Sequence, residues 1–553
     1  MGIGGNFWDL LKPFAKHEGP DAIRDQKVAV DLSFWIVQQE TALSHSNSHV
    51  SKSHLRVLFF RIINLFSKYG AYPVFVIDGA PSHLKCQARI SRFFRGVDAP
   101  PPPVAELGVP VERNKTFLKR VRECVGLIEL FGMPVLKADG EAEALCAQLN
   151  REGHVDACIT ADSDVFLFGA NRVIKSINPN TKEPFECYYM SDVEANLALK
   201  RNHLIAISLL VGNDLNLKGV PGIGIDSALR FVGMFDDDEI LAKLRAFGNG
   251  EESDLNVAAS RSITKPSHCT HCGHPGTRKA HTKLSCQYCG TVDGEGCTEK
   301  PSGFHCCCSF CEEHLMAKTK KKSDDWKLKV CRKIRMEPNF PNMEIIELYL
   351  RSNNRSQSDG ELSLSWRDPK VQTMTDFFVF HGIFEPAYVR RKMIPVFSTM
   401  FFRKMATMKT EDLLYDQYKF HSIKSLKVRY GQEKLRILWR KETPLVKDFV
   451  DVINVEEDDE QGEIPAIDER EALDGESGCF LLTEENLELV RAAFPEEVRE
   501  FLNNKGAPKR RRSCDAENAQ LQITEFFRTA KPSRKSKDGD SGPKSARRRL
   551  MFD

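Results

Sequence analysis

The sequence predicts an α/β fold in which a parallel sheet carries helices on both faces. Three apolar runs support this prediction: QKVAVDLSFWIVQ at 26–38, YPVFVIDGAP at 72–81 and VDACITADSDVFLFGA at 155–170. Helical patterns separate these runs, an alternation that is typical of a parallel sheet. The 553 residues are enough for about two or three domains of ordinary size.

Composition narrows the class of protein. The formal net charge is only +2, so the total charge does not indicate binding to a nucleic acid. Local basic patches are the better guide to the partner. The start, MGIGGNFWDLLKPF, lacks the basic segment and apolar run of a signal peptide, and we expect no membrane span. Nine of the 17 cysteines fall between Cys269 and Cys311, which favours metal binding over a disulfide framework.

Acidic residues follow the predicted strands and open the next helices. The candidate metal ligands are Asp31, Asp78, Glu141, Glu143, Asp162, Asp164 and Asp214. A single Asp after a strand is more often a turn residue or a helix cap. As a set, however, these carboxylates should meet at the carboxyl edge of the sheet. Mg²⁺ prefers such oxygen ligands, and two ions can clamp the attacking and leaving oxygens of a phosphodiester.

Five blocks carry a resemblance to a known family. VAVDLSFW, VFVIDG, GEAEALCA, ITADSDVFLFGA and LVGNDLNLKGVPGIG, in this order, resemble the XPG/Rad2 structure-specific nucleases over about residues 1–240. The resemblance implies a nuclease of the PIN/5′-nuclease-like fold whose seven carboxylates bind two Mg²⁺. It also implies that Gly2, exposed after removal of Met1, lies near this site.

A basic segment follows the second strand. PSHLKCQARISRFFRG carries Lys85, Arg89, Arg92 and Arg95 at roughly helical spacing, which alone would indicate a solvated surface helix. The resemblance implies that Lys85 and Arg92 are catalytic and stabilise charge on the scissile phosphate, and that all four lie on the DNA path. The next segment, GVDAPPPPVAELGVPVERNK, is too short and Pro-rich for a helical cap. This favours the GEN-type, junction-resolving class over flap-threading enzymes.

GVPGIGIDSALRF at 219–231 resembles a helix-hairpin-helix. Gly222 and Gly224 permit a tight turn, and the following helix can offer backbone N–H groups to a DNA phosphate. A plain connection between two helices is the alternative. The family resemblance further implies K⁺ on backbone carbonyls at this turn.

The cysteines at 266–315 predict structural zinc. CTHC and CQYC form two CxxC pairs, so Cys269, Cys272, Cys286 and Cys289 suit a tetrahedral site. A second set would comprise Cys297, Cys306, Cys308 and Cys311, with Cys307, His281, His305 or His314 as alternatives. A Cys-rich insertion here is similar to that of GEN-type nucleases and of the plant single-strand DNA endonucleases.

The stretch 418–441 alternates like a small sheet and resembles the chromodomain core of GEN-type nucleases. Tyr418, Phe420 and Trp439 could form a methyl-lysine cage, but we favour a packing module. Its basic surface would comprise Lys424, Lys427, Arg429, Arg436, Arg440 and Lys441. Beyond it we expect a largely disordered tail, with one short helix in CFLLTEENLELVRAAFP at 479–495.

Two kinds of short motif stand in the tail. Gln520, Ile523, Phe526 and Phe527 fit the binding motif for the sliding clamp (PCNA). KRRR at 509–512 and ARRR at 546–549 indicate nuclear localisation or contact with nucleic acid.

The predicted divisions follow from these patterns. They are an N-terminal nuclease region (1–95), an arch loop (96–114), an internal nuclease region (115–195), a helix-hairpin-helix region (196–250), the zinc insertion (266–315), a helical region (316–410), the chromodomain-like module (414–445) and the tail (446–553). We expect a nuclear endonuclease that acts on Holliday junctions, flaps or single-stranded DNA in repair and recombination, and that pairs as a homodimer on a junction. The alternatives are a flap endonuclease proper and a non-catalytic adaptor that brings the clamp to branched DNA.

Overall fold

The computed structural model describes the two nuclease regions and most of the segments that follow them. The described residues are 7–44, 52–93, 115–251, 267–283, 286, 288–289, 297–351, 364–408, 413–414, 417–429, 431–442 and 480–506. The chain divides into two units, 1–499 and 500–553, and only 500–506 of the second unit are described. Among the described helices, none combines the length and the apolar character needed to cross a membrane.

A seven-stranded sheet forms the centre of the first unit. Its strands are β1 (Lys16–Glu18), β2 (Lys27–Asp31), β3 (Tyr72–Ile77), β4 (Val135–Lys137), β5 (Ala157–Ile159), β6 (Arg172–Ile177) and β7 (Phe185–Tyr189). They lie in the order β1-β7-β6-β5-β2-β3-β4. The five strands from β6 to β4 pair in parallel, which confirms the predicted sheet, whereas β7 and β1 add an antiparallel edge.

Helices cover both faces of this sheet. In chain order, the described α-helices, including those of the later segments that lie away from this sheet, are α1 (Phe7–Leu11), α2 (Leu32–Ser44), α3 (Ser53–Ile63), α4 (His83–Phe93), α5 (Lys115–Leu130), α6 (Ala142–Arg151), α7 (Asp164–Leu167), α8 (Met190–Leu197), α9 (Arg201–Val211), α10 (Ile225–Val232), α11 (Asp237–Asn249), α12 (Arg278–Lys283), α13 (Ser309–Met336), α14 (Met343–Leu350), α15 (Val371–Phe380), α16 (Pro386–Thr407), α17 (Leu487–Ala493) and α18 (Pro495–Gly506).

Alternate residues of the central strands feed two separate cores. Ala29 of β2 packs in one apolar cluster with residues of α6, α9 and α10, while Val28 and Val30 pack in the other with residues of α3, α5 and α16. A strand that is apolar on both sides must be covered on both sides. The continuous apolar runs in the sequence therefore predicted the layering correctly.

A second, three-stranded sheet corrects two predicted boundaries. Strands β8 (Tyr418–Arg429), β9 (Gln432–Lys441) and β10 (Phe480–Asn486) lie in the order β10-β9-β8. The module therefore includes a strand beyond residue 445. In the apolar island at 479–495 the first part is this strand, and the predicted short helix is present as α17 in the second part. The physical reason is that β9 needs a partner on its second edge, which β10 supplies along its whole length.

Candidate active site

Three neighbouring strands bring acidic side chains to one edge of the sheet. Asp31 is the last residue of β2, Asp78 follows β3, and Asp162 and Asp164 follow β5. The three strands are adjacent and parallel, so their carboxyl ends meet at the same edge. The sequence-based placement of these four residues is therefore found in the structure.

Two helices complete the cluster. Glu141 directly precedes α6 and Glu143 lies in its first turn, where negative charge is favoured by the helix dipole. The backbone N–H of Ala142 donates to Asp78 Oδ1 at 2.9 Å, which fixes the start of α6 against the end of β3. Asp214 follows α9, and its Oδ2 lies 3.7 Å from Lys85 Nζ, which also contacts Glu141, so Asp214 belongs to the same cluster.

Short polar contacts hold the carboxylates in place. Thr160 Oγ1 donates to Asp31 Oδ2 at 3.1 Å, and the backbone N–H of Phe34 donates to Asp31 Oδ1 at 3.0 Å. The phenol of Tyr349, on α14, donates to Asp164 Oδ2 at 3.0 Å. Asp164 Oδ1 is buried and has no hydrogen-bond partner among the described residues. A buried carboxylate oxygen without a donor is the group that a cation would stabilise.

The pKa shifts within the cluster also indicate that a cation would stabilise it. Burial and the neighbouring Asp78 carboxylate raise the pKa of Asp31 from 3.8 to about 7. Burial and the Glu141 carboxylate raise the pKa of Glu143 well above 4.5, and burial together with Asp162 raises that of Asp164 well above 3.8. These shifts mean that the cluster holds more negative charge than its surroundings stabilise.

Lys85 supplies positive charge from α4. Its Nζ lies 2.5 Å from Glu141 Oε1 and 3.7 Å from Asp214 Oδ2. Burial alone would lower the pKa of this ammonium, but the facing carboxylates of Glu141 and Glu143 raise it above its usual value. Lys85 thus stays charged inside the cluster, which is the state that the predicted role of stabilising a phosphate requires.

Other predicted site residues fall outside what the structure describes. Arg89 and Arg92 lie on α4, but their side chains are outside the described set. Gly2, Arg95 and the predicted arch loop at 96–114 lie outside the described residues. Their roles therefore stay predictions.

The turn between α9 and α10 has the backbone of the predicted hairpin. Gly222 has φ +77°, a conformation that favours glycine, and Gly224 directly precedes α10. Sequence reasoning missed Gly219, whose φ is +56° and where an added Cβ would lie 2.5 Å from Gly212 N. The signal was present in GVPGIG, but spacing alone does not say which glycine packs most closely.

The Cys/His-rich segment groups its ligands differently from the prediction. Cys297 lies with Cys269 and Cys272, not with Cys306, Cys308 and Cys311, and the fourth member of the latter group is His268. The physical reason is that the chain folds back so that residue 268 reaches the start of α13, with His268 Nε2 3.2 Å from Cys311 Sγ. Sequence spacing could not show this return.

In the second sheet, the aromatic residues pack inside the module. Trp439 is fully buried, and its indole N–H donates to Thr483 Oγ1 at 2.8 Å. Phe420 stacks on Phe494 at 4.4 Å between ring centroids. The set that includes Tyr418 therefore forms no open cage, which agrees with the favoured packing module.

An acidic residue of the same module pairs with part of the basic surface that the sequence predicted. The side chains of Lys427, Arg429 and Arg436 surround Glu484 of β10, at 3.2, 3.9 and 3.7 Å. The clamp motif at 520–527 and both basic tail motifs lie outside the described residues.

Two protein-family models match the regions that carry the carboxylates. The XPG N-terminal domain model matches residues 1–96, and the XPG I-region model matches residues 132–214. These matches contain all seven carboxylates, so the chain is of the XPG nuclease class. It is 47% identical to flap endonuclease GEN-like 1 of Arabidopsis thaliana, over 100% of both chains. The chain therefore belongs to the GEN-like flap endonuclease family, a family of structure-specific DNA endonucleases.

Solved structures share its fold. Human GEN1 in complex with Holliday junction DNA is 22% identical, with a TM-score of 0.59 over 91% of this chain and 98% of that chain. The Holliday junction-resolving enzyme GEN1, in complex with product DNA and Mg²⁺, is 16% identical, with a TM-score of 0.50 over 91% of this chain and 100% of that chain. These matches establish the fold.

Proposed function

We propose that this chain hydrolyses phosphodiester bonds in branched DNA with two Mg²⁺ held by its carboxylate cluster, and that it resolves four-way junctions as well as cutting flaps or single strands. The observation that carries the proposal is the excess of buried, mutually repelling carboxylates at one sheet edge. The solved GEN1 relatives, which contain junction DNA or product DNA with Mg²⁺, support it.

The donor set fits Mg²⁺. The ligands would be Asp31, Asp78, Glu141, Glu143, Asp162, Asp164 and Asp214, all of which offer hard carboxylate oxygens. The buried, partnerless Oδ1 of Asp164 is one coordination point. Bound Mg²⁺ would supply an activated water and charge neutralisation at the attacking and leaving oxygens.

The chain's own side chains position the reacting phosphate. The ammonium of Lys85 is held beside the carboxylates by its contacts with Glu141 and Asp214. From there it can donate to a non-bridging phosphate oxygen as negative charge develops. At the hairpin, the backbone N–H groups that begin α10 can bind a phosphate of the duplex arm, because the dipole of that helix favours an anion.

The test compares two substrates and two ligand variants. A four-way junction and a 5′ flap are incubated with the protein and Mg²⁺, and incision is followed for wild type, Asp31→Asn and Glu141→Gln. We expect wild type to cut both substrates and both variants to cut neither. The matched control is Asp156→Asn, which changes an exposed Asp just before β5, at the opposite end of the strand from Asp162. Full cleavage by the two ligand variants would exclude the metal assignment.

The same assay separates the alternatives. Rapid flap cutting with an intact symmetric junction would assign the chain to flap endonucleases proper. Tight junction binding without incision at any Mg²⁺ concentration would assign it to the adaptor class. The presence of all seven carboxylates favours an enzyme over the non-catalytic adaptor.

We propose K⁺ at the hairpin turn. Lys333 Nζ lies 2.6 Å from the Gly222 carbonyl oxygen, so this carbonyl already faces a monovalent cation. K⁺ would compete with or displace that ammonium. Duplex affinity should therefore be higher in KCl than in LiCl at equal ionic strength, and Lys333→Met should enlarge the difference.

Structural zinc is proposed for the segment at 266–315. The described cysteines there are free thiols gathered with histidines, which is the donor set that Zn²⁺ prefers. Closed four-ligand sites leave no open position for a substrate, so the role is structural. Elemental analysis of the purified chain tests it.

Clamp binding is proposed through the tail motif. We expect the double variant Phe526→Ala/Phe527→Ala to lose most of its affinity for the sliding clamp in a calorimetric titration, since aromatic anchors dominate such pockets. Thr524→Ala is the control, because it lies between the anchors. Unchanged affinity of the double variant would contradict the assignment.

Dimerisation on the junction and nuclear localisation are two further proposals. Sedimentation of the junction complex should give two chains per junction, and one chain would contradict pairing. Replacement of KRRR and ARRR by alanines should shift a fluorescent fusion out of the nucleus, and unchanged distribution would exclude these signals.

A further inference from the structure

Three groups of side chains in the Cys/His-rich segment are arranged so that each could hold a metal ion. The first group is Cys269, Cys272, His281 and Cys297; the second is Cys272, His274, Cys286 and Cys289; the third is His268, Cys306, Cys308 and Cys311. Within each group, the donor atoms all lie within 4.8 Å of one another. Cys272 belongs to both of the first two groups.

The packing of the segment depends on these thiols. Its buried cluster consists of Cys269, Cys272 and Cys286, with Cys289 and Cys297 packed against it. The described cysteines form no disulfide. Since thiols without a cross-link cannot stabilise so small a core, the segment needs another cross-link, and bound metal provides one.

The distances between donors fit tetrahedral zinc. With Zn–S and Zn–N bonds of about 2.3 and 2.0 Å, a tetrahedral N···S edge is about 3.5 Å. His274 Nδ1 lies 3.3 Å from Cys289 Sγ and 3.9 Å from Cys286 Sγ. His268 Nε2 lies 3.6 Å from Cys308 Sγ. These separations bracket the ideal edge in two different groups.

His281 also has the outer contact of a metal ligand. Its Nδ1 lies 3.4 Å from Cys272 Sγ, and its Nε2 lies 2.8 Å from the Pro275 carbonyl oxygen. A carbonyl only accepts, so Nε2 carries the proton and Nδ1 presents its lone pair to the thiol group. This arrangement, with the second ring nitrogen bound to a backbone carbonyl, is typical of zinc-bound histidine.

We propose that the segment binds three zinc ions, of which two are bridged by the Cys272 thiolate and the third is held by His268, Cys306, Cys308 and Cys311. The first two groups contain seven different donors, so two four-coordinate ions require one shared ligand. Cys272 is the member common to both. Each coordinating thiol releases its proton on binding, and no electrons are transferred.

The third ion has a distinct structural consequence. Cys308 directly precedes α13 and Cys311 lies in its first turn, so the ion fixes the start of this helix to His268. At the other end, Val330 and Ile334 of α13 are buried against the hairpin region, close to the contact between Lys333 and Gly222. The third ion therefore sets the direction of a helix that reaches the turn for which we propose phosphate binding.

This inference rests on the proposed presence of zinc and deepens it. The full chain, purified with zinc and freed of loosely bound metal, is analysed for zinc per chain. We expect three ions in wild type and three in Cys307→Ser, whose thiol is exposed and outside every group. His268→Ala/Cys308→Ser should hold two. Cys272→Ser should hold one, because loss of the bridge removes both ions of the pair.

The outcomes are separable. Wild type with one or two ions, or Cys272→Ser with two, would overturn the bridged arrangement while leaving structural zinc intact. Wild type without zinc would overturn both. Cadmium-113 NMR of the exchanged wild type needs no variant that could misfold: three resonances, two of them mutually coupled through the shared sulfur, are expected. Three uncoupled resonances would exclude the bridge.

Discussion

The carboxylate edge of the central sheet and the Cys/His-rich segment both gather side chains that we propose bind metal, yet they relate to the fold in opposite ways. At the sheet edge, two large apolar cores position the strands, and the carboxylates are placed against their own repulsion. In the Cys/His-rich segment, the buried cluster is made of the ligands themselves. At the sheet edge, apolar packing therefore positions the proposed metal ligands. In the Cys/His-rich segment, the proposed ligands themselves form the core and stabilise the local structure.

From this difference we expect metal removal to affect the structure of the two regions differently. Charges buried at the sheet edge cost folding free energy that a bound cation offsets, so the metal-free fold survives with a destabilised site. Without metal, the Cys/His-rich segment loses the cross-links that replace an apolar core, so its structure should be lost.

The largest effect is expected from Glu143→Gln. This side chain is only 7% exposed, and its pKa is raised well above 4.5 by burial and by Glu141. Loss of a metal-binding charge should lower the single-turnover cleavage rate by roughly a thousandfold. In metal-free buffer, the same change should raise the free energy of unfolding by on the order of 1 kcal/mol, because a buried charge is removed.

The matched control is Glu152→Gln, directly after the other end of α6, where the side chain is exposed. It should change neither rate nor stability. A Glu143→Gln variant that is inactive and strongly destabilised would mean that the carboxylate supports the fold, which would break the contrast.

A smaller effect is expected from Tyr349→Phe. Burial raises the pKa of Tyr349 well above 10, so the phenol keeps its proton and donates to Asp164. Removal of this donor frees Asp164 to turn, and outer contacts of this kind contribute about 10- to 100-fold in metal affinity or activity. The Mg²⁺ concentration for half-maximal cleavage should therefore rise.

Tyr189→Phe is the comparison for this variant, because its phenol donates to Glu18 Oε1 at 2.6 Å on the antiparallel edge of the sheet. It should leave the Mg²⁺ dependence unchanged. If Tyr349→Phe also leaves it unchanged, Tyr349 has only a packing role.

The smallest effect is expected from a substitution of Glu485, a buried carboxylate outside both proposed metal-binding regions. Burial raises the pKa of Glu485 from 4.5 to about 7, although Ser398 and Thr399 donate to it. The folded state therefore binds more protons than the unfolded state between about pH 4.5 and 7, and this stabilisation is lost as pH rises through 7. Glu485→Gln should raise the free energy of unfolding by about 2 kcal/mol more at pH 8 than at pH 5.

Thermal unfolding at the two pH values, with and without Mg²⁺, checks this prediction. The exposed Glu433 on β9 provides the control, as Glu433→Gln. A Glu485→Gln effect that depends on Mg²⁺ would contradict the distinction between this carboxylate and those of the site.

Much of the site followed from the sequence because its geometry is local. Apolar runs located β2, β3 and β5, and adjacent parallel strands necessarily bring Asp31, Asp78 and Asp162 to one edge. The contacts that the sequence did not predict join residues that are far apart in the chain. Tyr349 reaches Asp164 across 185 residues, with no periodicity or motif that links them.

The Cys/His-rich segment and the second sheet illustrate the same limit. The CxxC pairs identified the segment, but His268, His274 and the sharing of Cys272 depend on how the loops fold back. Strand β10 lies beyond a long acidic stretch, and its pairing with β9 decides that 480–486 is extended although the apolar pattern also allows a helix.

The most direct test of the contrast is hydrogen exchange on the full chain before and after removal of all metals by a strong chelator. We expect the amides of β2, β3 and β5 to keep their protection, while those of residues 267–283 and the start of α13 lose it. Loss of protection in both regions would contradict the claim that the sheet holds its carboxylates without metal. Retained protection in both would contradict the claim that metal holds the Cys/His-rich segment together.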